Sequence, residues 1–276
     1  MRVRLPLPPL LLSAALLGAC ASQNGLDHAP AAAASDDRPV GYLGTAIPDS
    51  LSLLLPPPAE GSAGFAQDRA VHDAAQAVRN GPRGALATRD ADLSFPAAPQ
   101  VFACALGVPI DPLHTPRLTR LLQRTSADAG SATGKAKDHY RRTRPFVTFN
   151  ETVCTPEHAD GLRRNGSYPS GHSAIGWTWT LILAELAPER SDALFARGRD
   201  YTVNRLVCNA HWDSDIIAGR EVGAATVARL HADPAFTADL AAARAELARV
   251  RRQQLPPGPD CAAEAAALAV PVTGAL

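Results

Sequence analysis

The chain has 276 residues, 27 basic and 27 acidic side chains, and a pI near 7.1. That length holds one large domain or two small ones with a core of ordinary size. The zero net charge and near-neutral pI argue against a general nucleic-acid binder, which would need a basic face. Aromatics are only 5% of the residues while Ala and Leu are abundant, which favours helix. Of the 27 basic residues all but two, Lys135 and Lys137, are arginine.

At the N-terminus Arg2 and Arg4 precede an apolar run from Leu5 to Ala19, broken by Pro6, Pro8 and Pro9. The run is shorter than the roughly 18–20 residues that a spanning helix needs, and it reads as an export signal over residues 1–19. Leu17-Gly18-Ala19-Cys20 has the pattern of a bacterial lipoprotein signal, which makes Cys20 the expected lipid-modified first residue of the mature chain. Ordinary secretory cleavage near Ala19 or Ala21 is the alternative. Without residues 1–19 the charges are 25 basic and 27 acidic, a net of −2. No other apolar stretch nears bilayer length. A soluble body is expected, with membrane contact only through a lipid on Cys20.

Residues 20–39, rich in Ala, Asp, Ser and Pro without periodicity, read as a flexible tether. With Cys20 acylated, Cys104, Cys154, Cys208 and Cys261 remain, an even number that permits two disulfides in an oxidising compartment. Three pairings are open. Cys154–Cys208 is favoured because both lie beside the motifs described below.

Further along, Leu51–Pro58 ends in three prolines and reads as an extended segment packing on a core, not a helix. Helical patterning follows over residues 65–80. Residues 116–129 place Leu118, Leu121, Leu122 and Thr125 on one face behind Pro116. The stretch 173–187 is the most apolar helix and ends at Pro188; 190–203, 213–231 and an amphipathic 234–252 complete the set. Strand signals are nearly absent and no repeat is visible. The expected fold is all-α, a single compact helical domain over residues 40–252. A loose Pro/Ala-rich tail is expected over 253–276.

Three clusters carry chemistry. Lys137 and Arg144 stand seven residues apart, about two helical turns, and can face one way before Pro145 ends the segment. Alone, this would be a solvated basic helix end. Pro169-Ser170-Gly171-His172 leads into the most apolar helix, and a turn of this kind offers free N–H groups and a hydroxyl at the positive end of the helix dipole. Alone, Ser170 would be an N-cap and His172 a structural histidine.

In the third cluster His211 and Asp215 are four apart, on one face if helical. A carboxylate on one imidazole nitrogen fixes the tautomer and makes the other nitrogen a better nucleophile. Arg205 upstream supplies a fork for phosphate oxygens. A structural hydrogen bond and metal ligation are the rivals, but no other His, Asp or Cys cluster supplies further ligands at a recognisable spacing. No metal and no cofactor are expected. The inventory suits phosphoryl transfer in which guanidinium and ammonium groups neutralise the charge.

In order, Lys137…Arg144-Pro145, Pro169-Ser170-Gly171-His172 and Arg205…His211…Asp215 resemble the three-part motif of the type 2 phosphatidic acid phosphatase superfamily. Wider stretches, AKDHYRRTRPF and GSYPSGHSAIGW among them, are similar to the bacterial class A non-specific acid phosphatases over about residues 42–250. The resemblance implies the all-helical phosphatase/haloperoxidase fold, a periplasmic and metal-independent enzyme, and a tendency to homo-oligomers. Residue by residue, it implies that His211 takes the phosphoryl group, Asp215 orients it, and His172 protonates the leaving alkoxide and then activates water. Lys137, Arg144, Ser170, the Gly171 amide and Arg205 would hold the phosphate oxygens. Asn204 and Asn209 depart from the serine and glycine usual at those places, which reads as tuning.

The expected function is an exported acid phosphatase acting on small-molecule phosphomonoesters, with no nucleic-acid partner. Transphosphorylation is a possible second activity, and the protein would be tethered to the outer membrane as a periplasmic lipoprotein. An acid optimum is expected because His172 must be protonated while His211 is neutral, with nearby cations and Asp215 driving the two apart. The alternatives are a vanadate-dependent haloperoxidase on the same scaffold and a phosphate-binding lipoprotein without turnover.

Overall fold

The most apolar segment of the described chain, Gly171–Leu186, is the helix around which the others pack. The structure is a computed structural model that describes residues 40–258 and 260–275. The predicted signal, Cys20 and the tether lie outside the described residues. Among the described residues there are nine helices of seven residues or more and no strand. They are α1 Ala63–Ala77, α2 Pro82–Arg89, α3 Pro116–Ala132, α4 Gly134–Tyr140, α5 Gly171–Leu186, α6 Ser191–Val207, α7 Asp213–Leu230, α8 Pro234–Arg251 and α9 Cys261–Leu268.

Local chemistry explains many of the ends. Proline occupies the first position of α2, α3 and α8, where its missing N–H costs nothing. Side chains of Ser62, Ser170 and Asp233 cap α1, α5 and α8 by accepting from backbone N–H groups of the first turn. The apolar stripes read from the sequence then face inward. Leu118, Leu121, Leu122, Trp179, Ile182 and Leu183 are completely buried where α3 meets α5. The Trp179 indole N–H donates to the Leu122 carbonyl at 2.9 Å, which satisfies its one polar atom.

Helix α5 touches α3, α6, α7 and α8. Its approach to α7 is backbone against backbone. A Cβ on Gly219 would lie 2.5 Å from the Ser170 carbonyl oxygen, and one on Gly223 would lie 2.6 Å from that of Ala174. This closeness lets the Ser170 N–H donate to the Asp215 carbonyl at 2.9 Å, joining the second and third sequence motifs. A separate apolar cluster, including Val71, Phe146, Leu206, Val207 and Ile216, lies under the loop that carries His211. Among the described residues no helix is long and apolar enough to cross a membrane.

Two expectations are corrected. Ser50–Leu53 form one turn of helix, because Asp49 accepts from the Leu51 and Ser52 N–H groups and Ser50 Oγ accepts from Ala136 N–H. Of the leucines there only Leu54 is buried, and Leu55 is 82% exposed. The segment 253–276 is not a loose tail. It carries α9, fastened by a Cys104–Cys261 disulfide, and it buries Glu264 beside Arg89 and Arg197. Arg83 donates to the carbonyls of Leu268 and Val270, and Gln67 to that of Gly274. The second disulfide is the favoured Cys154–Cys208 pair.

Candidate active site

Asp215 stands in the first turn of α7 and is completely buried. One carboxylate oxygen accepts from the Trp212 backbone N–H at 2.8 Å, the returning half of a capping box. The other accepts from Arg142 Nη1 at 2.7 Å. His211 precedes the helix and is 3% exposed. Its Nδ1 faces Asp215 Oδ2 at 3.4 Å and its Nε2 faces Arg144 Nη1 at 3.1 Å. A guanidinium only donates, so Nε2 bears the lone pair and Nδ1 the proton. The Nε2 lone pair thus points into a cluster of cations.

Arg144 is aimed by backbone carbonyls. Its Nε donates to Leu162 and Asn165, Nη1 to Ala210, and Nη2 to Gly166. Lys137 Nζ donates to the same Gly166 carbonyl at 2.8 Å. Arg205, on α6, is buried, and neither its Nε nor its Nη1 has a hydrogen-bond partner. A buried donor left unmatched costs about 1–3 kcal/mol, and more when it is charged. An anion with several acceptor oxygens would satisfy it.

At the start of α5, Ser170 Oγ accepts from Ser173 N–H. The N–H groups of Gly171 and His172 lie in the first turn, where no intrahelical acceptor exists. A Cβ on Gly171 would lie 4.0 Å from Lys137 Cε, so helix start and lysine share one wall. His172 Nε2 donates to the Ala91 carbonyl at 3.0 Å. That bond fixes the tautomer and leaves Nδ1 for chemistry.

The electrostatics follow from burial and from three converging cations. Burial, and then Arg144, push the Lys137 ammonium down to about 7. Burial lowers Arg144 to about 10, with Arg205 adding to the effect, and burial also lowers Arg205. His172 falls well below the usual imidazole range through burial and then Arg205, and His211 through burial, Arg144 and Lys137. The sequence reading had the two histidines driven apart. Both move the same way, because burial leads both shifts and the neighbouring cations bear on both rings.

All eight predicted site residues other than Cys20 therefore meet in one place. Arg142 was not singled out by sequence reasoning. It joins Asp215 to Asp68 on α1, with Arg142 Nη2 to Asp68 Oδ2 at 2.6 Å, and Asp68 also accepts from the Ser214 N–H and hydroxyl. The only hint was its place inside the first motif. Asn209 has a φ of 63°, the left-handed region that explains glycine as the common residue there. Its amide bonds to His72 and Glu151 and so braces the His211 loop. Asn204 does not face the cations. It accepts from Arg83 Nε at 2.7 Å and donates to Asp90 at 2.8 Å. Among the described residues no group of three or more His, Cys, Asp or Glu could hold a metal ion.

A helix start, three cations of which Arg144 and Arg205 are buried, and a His–Asp pair, brought together on an all-helical scaffold, define a phosphoryl-transfer type of site. The PAP2 superfamily matches residues 125–236, which include every one of these site residues. The chain is 41% identical to a non-specific acid phosphatase of Providencia stuartii over 74% of its own length and 83% of the relative's. It is 42% identical to one of Salmonella typhimurium, covering 72% and 80%, and 39% identical to an acid phosphatase of Zymomonas mobilis, covering 74% and 77%. The chain belongs to the PAP2 superfamily, in the family of the non-specific acid phosphatases.

Proposed function

We propose that the protein is an exported acid phosphatase that hydrolyses phosphomonoesters through a phosphohistidine on His211. The observation that carries this is the His211 Nε2 lone pair, directed at Arg144 with Nδ1 backed by Asp215. Nε2 attacks phosphorus while the P–O bond to the leaving group breaks. His172 Nδ1 gives its proton to the departing alkoxide. It then takes a proton from the water that displaces His211, releasing inorganic phosphate. An alcohol in place of that water would receive the phosphoryl group instead.

Lys137, Arg144, Arg205 and the α5 start bind the equatorial oxygens and oppose their charge. The substrate's own negative charge offsets the cations around His172 and so favours its protonated, acid form. Acid pH supplies the rest of the driving force. Export rests on residues 1–19, with Cys20 as the lipid-bearing residue and the periplasmic face of the outer membrane as the site of attachment. The two disulfides support an oxidising compartment.

The test is p-nitrophenyl phosphate hydrolysis across acid and alkaline pH, with EDTA and separately with orthovanadate. The reading expects an acid-side maximum, survival in EDTA, block by vanadate and an acid-labile phosphoprotein that is lost in His211→Ala. Loss of activity in EDTA, or turnover by folded His211→Ala, overturns it.

A further inference from the structure

The His172 ring is oriented by the Ala91 carbonyl, and the residue before Ala91 is a completely buried carboxylate outside the three motifs. Asp90 closes α2 at its C-cap. Its Oδ1 accepts from Arg197 Nη2 at 2.7 Å, and its Oδ2 from Asn204 Nδ2 at 2.8 Å. Both donors project from α6, and Asn204 immediately precedes Arg205. Burial weakens the charge of Arg205, and Tyr201 and Asp90 are the groups that offset that loss. Asp90 thus touches both halves of the site by short routes, through one peptide unit to His172 and through α6 to Arg205.

We propose that Asp90 is a positioning residue that couples the phosphate-binding arginine to the general acid. It pins the Ala91 carbonyl against the His172 ring while it holds the α6 segment that presents Arg205. This rests on His172 acting as the acid in the proposed reaction. A carboxylate with a merely structural task would stabilise the junction of α2 and α6 without favouring one chemical step. A carboxylate that sets the His172 ring matters most where the leaving group must be protonated.

The experiment compares kcat/KM for p-nitrophenyl phosphate, whose leaving group needs little protonation, with that for glycerol 2-phosphate, whose leaving alkoxide needs it fully. Asp90→Asn keeps the shape and removes the charge. The proposal expects the ratio of the two kcat/KM values to rise about tenfold or more in Asp90→Asn, in the same direction as in His172→Ala. An unchanged ratio in folded Asp90→Asn, with His172→Ala raising it, overturns the proposal and spares the acid assignment. An unchanged ratio in His172→Ala overturns both. If Asp90→Asn does not fold, Asn204→Ala takes its place. It removes one of the two donors on Asp90, and a raised ratio supports the proposal where an unchanged one overturns it.

Discussion

Arg142 backs Asp215 more closely than Asp215 backs His211: its guanidinium bonds the carboxylate at 2.7 Å and is itself held by Asp68 at 2.6 Å, whereas His211 Nδ1 faces Asp215 at 3.4 Å without a hydrogen bond. Asp215 is therefore the middle of a chain of contacts that begins on α1. Breaking a buried pair by removing one partner typically costs about 3–5 kcal/mol. Arg142→Gln is expected to lower stability by about that range in urea melts, and to lower kcat more than it raises KM. A kcat equal to wild type in the folded variant would show that Trp212 alone fixes Asp215.

In the proposed reaction His211 and His172 make different demands. His211→Ala removes the proposed nucleophile and is expected to cost several orders of magnitude in kcat. Phosphate should still bind, because Lys137, Arg144 and Arg205 remain. Isothermal titration with phosphate and vanadate, set beside turnover, checks both halves of that expectation. Loss of binding together with turnover would place His211 among the phosphate ligands instead.

Stability should depend on pH through the same residues. Unfolded histidines gain protons near pH 6.5, whereas His172 and His211 in the folded site resist them. The unfolded chain then binds more protons in that window, so stability rises with pH through it and falls as pH drops below about 6.5. Phosphate opposes the cations that hold the imidazoles neutral. Melting temperatures from pH 4.5 to 8 should show an acid-side decline that phosphate reduces, and His172→Ala should flatten part of it.

The fastening of the C-terminal segment can be tested by the pair Cys104→Ala and Cys261→Ala. The bridge joins positions 157 apart in sequence, and removing such a link typically costs about 2–5 kcal/mol. Limited proteolysis should then cut between α8 and α9, and wild type should resist under the same conditions. Equal resistance would mean that Glu264 and the Arg83 contacts hold α9 without the disulfide.

Attachment through Cys20 predicts that Cys20→Ser is released from membranes as active, soluble enzyme and no longer takes up labelled palmitate. Retention of the variant on membranes would exclude the lipid as the anchor.

The helices and the centre of the site were legible because both are written in local spacing. Apolar residues at helical intervals marked α3 and α5, and the four-residue spacing flagged His211 with Asp215, although His211 stands just ahead of the helix and not on its face. Arg142 with Asp68, and Asp90 with Arg197, were not legible. The partners stand 74 and 107 residues apart, and nothing near either partner in sequence marks the bond. The tail was misread for the same reason, since an alanine-rich run becomes a packed helix only when Cys104 and Arg197 lie opposite it. The common direction of the histidine shifts was hidden too, because burial belongs to the folded molecule and not to the motif.

The glycine contact between α5 and α7 works as a fixed joint. Gly219 places the Ser170 turn and the helix that carries Asp215 at a separation set by main chain. No rotamer can lengthen that span and no bound ligand needs to pull it shut. Changes in the loops around the site would therefore leave the separation between the Ser170 turn and Asp215 unaltered.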